Sequence, residues 1–166
     1  MKFNFTFLGQ SILRYETPID IFNTINQIYE QNFNKLEPAN IQLVGKIKNE
    51  HSLFYDGENE SKMKRHNTLP NNVLDWFMSM FHHYLEFNRI KDYKTSLNSI
   101  WVNEMKAHEY NPVHVHQGSL FTGLSSVMIL KLPNTYGVEY SASEAPQNGK
   151  LQILGAANGQ FARIDF

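Results

Sequence analysis

The clearest chemistry in the sequence lies in two histidines, His114 and His116, within the segment YNPVHVHQGS. If this segment is a strand, side chains two residues apart project from the same face, so the two imidazoles would point together. Paired neutral imidazoles are suitable ligands for a divalent transition metal. The alternative is a pair of surface or hydrogen-bonded strand histidines. Spacing alone does not separate the two, because a mononuclear iron site also needs a third protein ligand.

Two further polar residues are candidates for a supporting role near such a site. Asn103, in SIWVNEM, is a candidate for orienting a metal-bound imidazole, although exposed polar residues are ordinary on strands. Lys131 interrupts the apolar run VMILKLP and is a candidate anchor for the carboxylate of a bound small molecule. The alternative for Lys131 is a lysine at a strand end whose aliphatic stem lies along the surface.

The first half of the chain contains the elements that would support these residues. Apolar residues at three- and four-residue spacing predict helices over residues 17–35 and 69–90. Thr17 is the predicted N-cap of the first helix, and Pro18 is its predicted first residue. Residues 49–67 are polar and lack periodicity, which predicts a surface loop that includes His51 and His66.

The second half of the chain changes to short alternating or apolar runs separated by Gly, Asn and Pro, which is typical of strands. The order of helices followed by strands predicts an α+β fold in one domain. Residues 1–95 would form a helical support region, and residues 96–166 the first part of a sandwich or barrel. The predicted strands are residues 2–9, 96–105, 111–116, 124–133, 137–143, 149–154 and 159–166, and residues 40–47 are a short strand or an extended segment.

Composition excludes several classes of protein. The chain has 166 residues, which suits a single domain, and it has no cysteine, which excludes disulfides and thiolate metal sites. A formal net charge of -1 provides no clear patch for nucleic acid and no attraction to anionic membranes. The N-terminus lacks the pattern of a signal peptide, and no run approaches the about 18 apolar residues of a membrane span. We therefore expect a cytoplasmic protein with no membrane partner.

The stretch over residues 99–133 resembles iron(II)/2-oxoglutarate-dependent oxygenases of the type found in marine phages and bacteria. The shared pattern is a Trp-Val-Asn strand, a Tyr-Asn-Pro stretch, a His-x-His pair, and a turn into an apolar strand that ends in Pro. These elements are residues 101–103, 110–112, 114–116, 122–123 and 132–133 of this chain.

The resemblance implies a double-stranded β-helix, the jelly-roll barrel, with the N-terminal helices packed outside it. It further implies Fe(II) at the mouth of the barrel, with 2-oxoglutarate as a small-molecule co-substrate that chelates the iron. Oxidative decarboxylation of 2-oxoglutarate to succinate and carbon dioxide would be coupled to hydroxylation of a C–H bond. The substrate is not readable from the sequence and is a protein side chain, a nucleobase or a small metabolite. A phage-encoded enzyme of this type would act in the host cytoplasm.

The resemblance also assigns the metal ligands. His114 matches the family's first iron ligand, whereas His116 stands where most of the superfamily has Asp or Glu. No histidine follows His116 in this chain, so the family's distal histidine, and the Arg or Lys that pairs with the far carboxylate of 2-oxoglutarate, have no clear counterpart. We therefore expect these residues to be the N-terminal part of a longer protein, with the barrel incomplete at its C-terminus.

Two other functions remain open at the level of sequence. A cupin-like metal-binding protein or isomerase also uses a His-x-His motif, but the Glu expected shortly after the second His is absent, since no Glu appears between His116 and Glu139. A non-catalytic β-sandwich module, in which the histidines are incidental, is the third hypothesis.

Overall fold

The computed structural model describes residues 2–7, 11–39, 45–57, 63–114, 123–135, 148–157 and 160–165. These residues form two α-helices, a four-stranded antiparallel sheet and two antiparallel strand pairs, so the predicted α+β class is confirmed. The chain divides into two compact units. One is Thr17–Ser126, and the other combines Met1–Glu16 with Val127–Phe166.

Both predicted helices are confirmed, with a correction at the start of the first. Helix α1 is Ile19–Asn32, followed by a 3-10 turn at Phe33–Lys35, and helix α2 is Asn71–Phe87. Pro18 is the N-cap of α1 rather than its first helical residue, because its ψ of 139° is extended. Its carbonyl accepts the first helical hydrogen bond, from the Phe22 N–H at 3.0 Å. Thr17 is therefore not the cap.

The four-stranded sheet is organised around one central strand. Strand β4 (Asn49–Tyr55) pairs along one edge with β6 (Ser99–Glu104). Along its other edge it pairs with two short strands placed end to end, β3 (Glu37–Pro38) and β5 (His66–Asn67). All of these pairings are antiparallel, and the β4–β6 register shifts between Ser52 and Phe54.

The central strand overturns the prediction of a surface loop over residues 49–67. Glu50, Ser52, Leu53 and Tyr55 are all buried, although two of these four residues are polar. The Ser52 hydroxyl is accommodated by a 2.9 Å hydrogen bond to Nε2 of His66 on the neighbouring strand. Polar residues with partners inside the sheet interrupt the hydrophobic alternation, so a pattern based on hydropathy alone misses the strand.

The second unit contains two strand pairs. Strand β1 (Phe3–Phe7) pairs with β2 (Ser11–Tyr15), and β7 (Gln152–Ala157) pairs with β8 (Gln160–Asp165). The predictions of strands at residues 2–9, 149–154 and 159–166 are confirmed within these bounds, whereas β2 was not predicted. The predicted strand over residues 137–143 lies outside the described residues.

The structure does not confirm the strand predicted over the apolar run of residues 124–133. Residues 123–135 contain no strand, and four of their large apolar side chains are exposed: Leu124, Val127, Ile129 and Leu132. The prediction over residues 111–116 is also wrong for its described part, because residues 111–114 form no strand. Pro112 lacks the N–H that would continue a ladder beyond the isolated bridge at Tyr110.

The buried apolar residues of the larger unit come from both helices and from the sheet. Leu53 and Val73 are fully buried, and Ile21, Ile25 and Phe77 are nearly so. Neither helix in the described ranges is long and apolar enough to cross a membrane.

Candidate functional site

His114 lies at the surface, and its ring has a defined hydrogen bond. Its Nδ1 is 2.7 Å from the carbonyl oxygen of Pro112. A carbonyl oxygen only accepts, so Nδ1 carries the proton and donates it. In the neutral ring the lone pair is then on Nε2. A backbone carbonyl that holds Nδ1–H in this way is the usual arrangement for a histidine that binds a metal through Nε2.

The segment before His114 is attached to the larger unit by an isolated β-bridge. The Lys46 N–H donates to the Tyr110 carbonyl at 2.9 Å, and the Tyr110 N–H donates to the Lys46 carbonyl at 3.4 Å. Gly45 makes this approach possible, because its φ of 128° is in a region that side chains disfavour. A Cβ at Gly45 would lie 2.9 Å from the Tyr110 carbonyl oxygen and 3.3 Å from Cδ of Pro112.

Glu109 provides a second attachment for the same segment. Its Oε1 accepts from the Lys48 N–H at 3.3 Å, and its Oε2 accepts from the Lys106 N–H at 2.9 Å. The carboxylate thus joins the turn after β6 to the residues that lead into β4. His108 lies inside this turn with a φ of 67°. Together, the bridge and Glu109 determine where the Tyr-Asn-Pro stretch leaves the sheet.

Asn103 lies on β6, directly opposite Glu50 on β4. Oδ1 of Asn103 and Oε1 of Glu50 are both buried, and neither has a hydrogen-bond partner. The pKa of Glu50 is raised, first by burial and second by the negative charge of Glu109. The role predicted for Asn103, the orientation of an imidazole, stays a prediction. The acceptor that orients His114 is the Pro112 carbonyl.

The other predicted site residues belong to the smaller unit or lie outside the described ranges. Lys131 is exposed, within the stretch that forms no strand, and belongs to the smaller unit. His116 lies outside the described residues. Among the residues that the structure does describe, no group of three or more His, Cys, Asp or Glu is placed to hold a metal ion. His114 is therefore the only member of the predicted ligand pair with a described position.

A polar cluster that the sequence did not predict lies between α1 and the sheet. Oε2 of Glu104 accepts from Nδ2 of Asn49 at 3.0 Å and from the Tyr29 hydroxyl at 3.4 Å. Burial raises the pKa of Tyr29 to about 12, with the charge of Glu104 and its hydrogen bond as further causes. The ring of His51 packs against Tyr29 and Phe33, with ring centroids 6.0 and 4.6 Å away. Tyr29 and Phe33 are four residues apart in the sequence, and this helical spacing indicates that they share one face.

Ser52 and His66 form a pair with the connectivity of a nucleophile and its base. Nδ1 of His66 is 2.8 Å from the Lys64 carbonyl, so this nitrogen donates, and Nε2 accepts from the Ser52 hydroxyl at 2.9 Å. Ser52 is only 1% exposed, however, so no substrate atom reaches its hydroxyl. The pair joins β4 to β5 and has a structural role.

Comparison of the chain with protein-family models, with curated proteins and with solved structures finds no match.

Proposed function

We propose that this protein is an Fe(II)/2-oxoglutarate-dependent dioxygenase that hydroxylates a C–H bond and acts in the cytoplasm. The observation that supports the proposal is the hydrogen bond from Nδ1 of His114 to the Pro112 carbonyl. This bond puts the lone pair of the neutral ring on Nε2, as an iron ligand requires. The same Tyr-Asn-Pro stretch is attached at Gly45 and Lys46, so the ring is presented from an anchored backbone.

The proposal gives the two histidines the role of iron ligands. His114 and His116 would hold Fe(II) together with a third protein ligand, and the bound metal would supply oxygen activation and a binding position for 2-oxoglutarate. The anchoring of the 2-oxoglutarate carboxylate by Lys131 and the orientation of an imidazole by Asn103 stay predictions from the sequence. The fold in this proposal is a jelly-roll barrel.

The first test is turnover by the whole chain. With Fe(II), 2-oxoglutarate and a panel of peptides, nucleosides and amino acids, we expect succinate, measured by mass spectrometry. His114→Ala is expected to abolish succinate formation and the stabilisation by Mn(II), because the variant removes a ligand. His108→Asn is the matched control. His108 is an exposed histidine of the same segment, and Asn tolerates its positive φ.

Two outcomes contradict the proposal. If the protein forms no succinate and Fe(II) or Mn(II) leaves its melting temperature unchanged, the histidines bind no metal, and a non-catalytic β module is favoured. If the metals stabilise the protein through His114 but no succinate forms, the cupin-like metal-binding function is favoured instead.

A further inference from the structure

A second group of candidate ligands lies on the sheet itself, and none of its members is a histidine. Glu50 and Asn103 face each other across β4 and β6, and side chains at paired positions of antiparallel strands project from the same face. Glu50 is 4% exposed. Oε1 of Glu50 is buried without a hydrogen-bond partner, and so is Oδ1 of Asn103.

Two buried acceptors at paired positions of β4 and β6 each need a partner, and one partner can serve both. Buried oxygens of native proteins are nearly always hydrogen-bonded or bound to an ion, because they lose their contacts with water on folding. Neither oxygen can satisfy the other, because an ionised carboxylate and an amide carbonyl both only accept. The partner of each oxygen must therefore be a donor or a cation.

Glu109 adds negative charge that acts on Glu50. Its carboxylate is close enough to Glu50 to contribute to the raised pKa of that group. Each oxygen of Glu109 accepts one backbone N–H, from Lys48 or Lys106, which leaves each with a second lone pair. These two backbone N–H groups fix the position of the Glu109 carboxylate, although its side chain is flexible.

We propose that Glu50, Asn103 and Glu109 bind a Ca²⁺ ion. These three residues offer only carboxylate and amide oxygens as ligands, with no nitrogen or sulfur ligand, and such a set suits a hard cation. Ca²⁺ binds six to eight oxygen ligands in flexible geometry. Mg²⁺ demands a stricter octahedron and keeps more water, so it fits less well. Water completes the coordination from the side of Asn103 and Glu109, which are only partly buried. The proposal does not depend on the oxygenase function, because it uses neither His114 nor His116.

Two arrangements without a cation compete with this proposal. A rotation of the Asn103 amide by half a turn would direct Nδ2 at Glu50, since the two ends of an amide are nearly identical in shape. A proton on Glu50 would turn it into a donor for Oδ1 of Asn103. Neither arrangement gives any response to calcium, and this difference separates them from a bound ion.

The test is thermal unfolding of the whole chain after treatment with a chelator, with CaCl₂ then added in steps. Binding to the native state raises the melting temperature with the logarithm of the calcium concentration. At a hundred times Kd, the expected rise is on the order of 5–10 °C for a chain of this size. We expect MgCl₂ to produce a smaller rise. Calorimetric titration of Ca²⁺ gives the affinity independently of unfolding.

Variants assign the response to the site. Glu50→Gln is expected to lose the rise, whereas Glu37→Gln, at an exposed glutamate of β3, is expected to keep it. Asn103→Asp is expected to tighten calcium binding because it adds a negative charge. His114→Ala is expected to leave calcium binding unchanged, which separates this site from the proposed iron site.

The proposal is overturned if calcium does not raise the melting temperature, or if Glu50→Gln responds as the wild type does. Calcium binding that weakens in Asn103→Asp also contradicts it, because a cation ligand gains from the added charge. A negative result in any of these calcium tests does not contradict the proposed oxygenase function, which the succinate assay tests separately.

Discussion

At the scale of single residues, Gly45 has the strictest backbone requirement near the candidate site. Its φ of 128° and the 2.9 Å approach of the Tyr110 carbonyl oxygen leave no room for a Cβ. We expect Gly45→Ala to lower the free energy of unfolding by about 1–3 kcal/mol, measured by urea denaturation. The bridge to Tyr110 would open, so Mn(II) binding through His114 should weaken as well.

Gly123 provides the control for this substitution. A Cβ there meets no atom within 4 Å, and its φ lies outside the positive region. Gly123→Ala should therefore leave stability unchanged or raise it by up to about 1 kcal/mol. Equal losses in the two variants would mean that the bridge at Lys46 and Tyr110 does not form.

Tyr29 is the residue with a raised pKa that can be followed directly. Its pKa of about 12 means that the folded state disfavours the phenolate, so its contribution to stability is present below pH 10 and is lost as the pH rises from 10 to 12. Absorbance of phenolate near 295 nm should show one of the eight tyrosines titrating late. Tyr29→Phe should remove that component.

Glu104→Gln tests the cause of this raised pKa. The variant removes the negative charge beside the hydroxyl and weakens its hydrogen bond, so the late component should move to lower pH while burial keeps part of the effect. An unchanged titration in Glu104→Gln would show that burial alone is responsible.

Residues of the candidate site differ in how far the sequence could predict them. The His-x-His spacing identified His114, because that motif is local. The group that holds its ring is a backbone carbonyl, which has no sequence signature. Glu50 and Glu109 were also not predicted, because they are distant in the sequence and meet only through the pairing of β4 with β6.

At the scale of elements, β4 is the strand on which the larger unit depends. It has neighbours on both edges, and Leu53, at the shift in its register with β6, is 0% exposed. Leu53→Ala should lower the free energy of unfolding by about 2–5 kcal/mol, because it leaves a cavity in the core. Urea denaturation followed by circular dichroism measures this change.

Leu132→Ala is the matched control for Leu53. Leu132 is 57% exposed and lies in a described stretch that forms no strand. Its truncation should change stability by no more than about 0.5 kcal/mol. A large loss in Leu132→Ala would mean that this apolar stretch is covered in solution.

Two of the elements that the sequence mispredicted fail for opposite reasons. Residues 49–55 begin with four polar residues, yet four of the seven positions are buried, and the buried Ser52 hydroxyl has a partner within the sheet. Residues 124–133 are mostly apolar, but they form no strand, and Val127 and Ile129 are exposed. Helices were predicted more accurately, since a helix satisfies its backbone locally while a strand depends on partners elsewhere in the chain.

At the scale of the whole molecule, composition and the order of elements were sufficient for the α+β class. The division of the chain was not predictable, because Met1–Glu16 groups with Val127–Phe166 and not with the helix that follows it. Contacts between the two ends of a chain have no local signal. Hydropathy periods report only which face of an element is buried, not which element covers it.

Amide hydrogen exchange tests the organisation of the entire molecule. We expect the amides of β4 to exchange most slowly, because strands on both of its edges protect them. β4 amides that exchange as fast as those of the short strand β3 would contradict the sheet order.

The strand pairs β1–β2 and β7–β8 test the proposed jelly roll in the same experiment. In a jelly roll nearly every strand has two neighbours, so we expect protection at both edges of these pairs. An isolated two-stranded pair is marginally stable and protects little. Fast exchange at the outer edges of both pairs would therefore overturn the jelly roll and leave the four-stranded sheet intact.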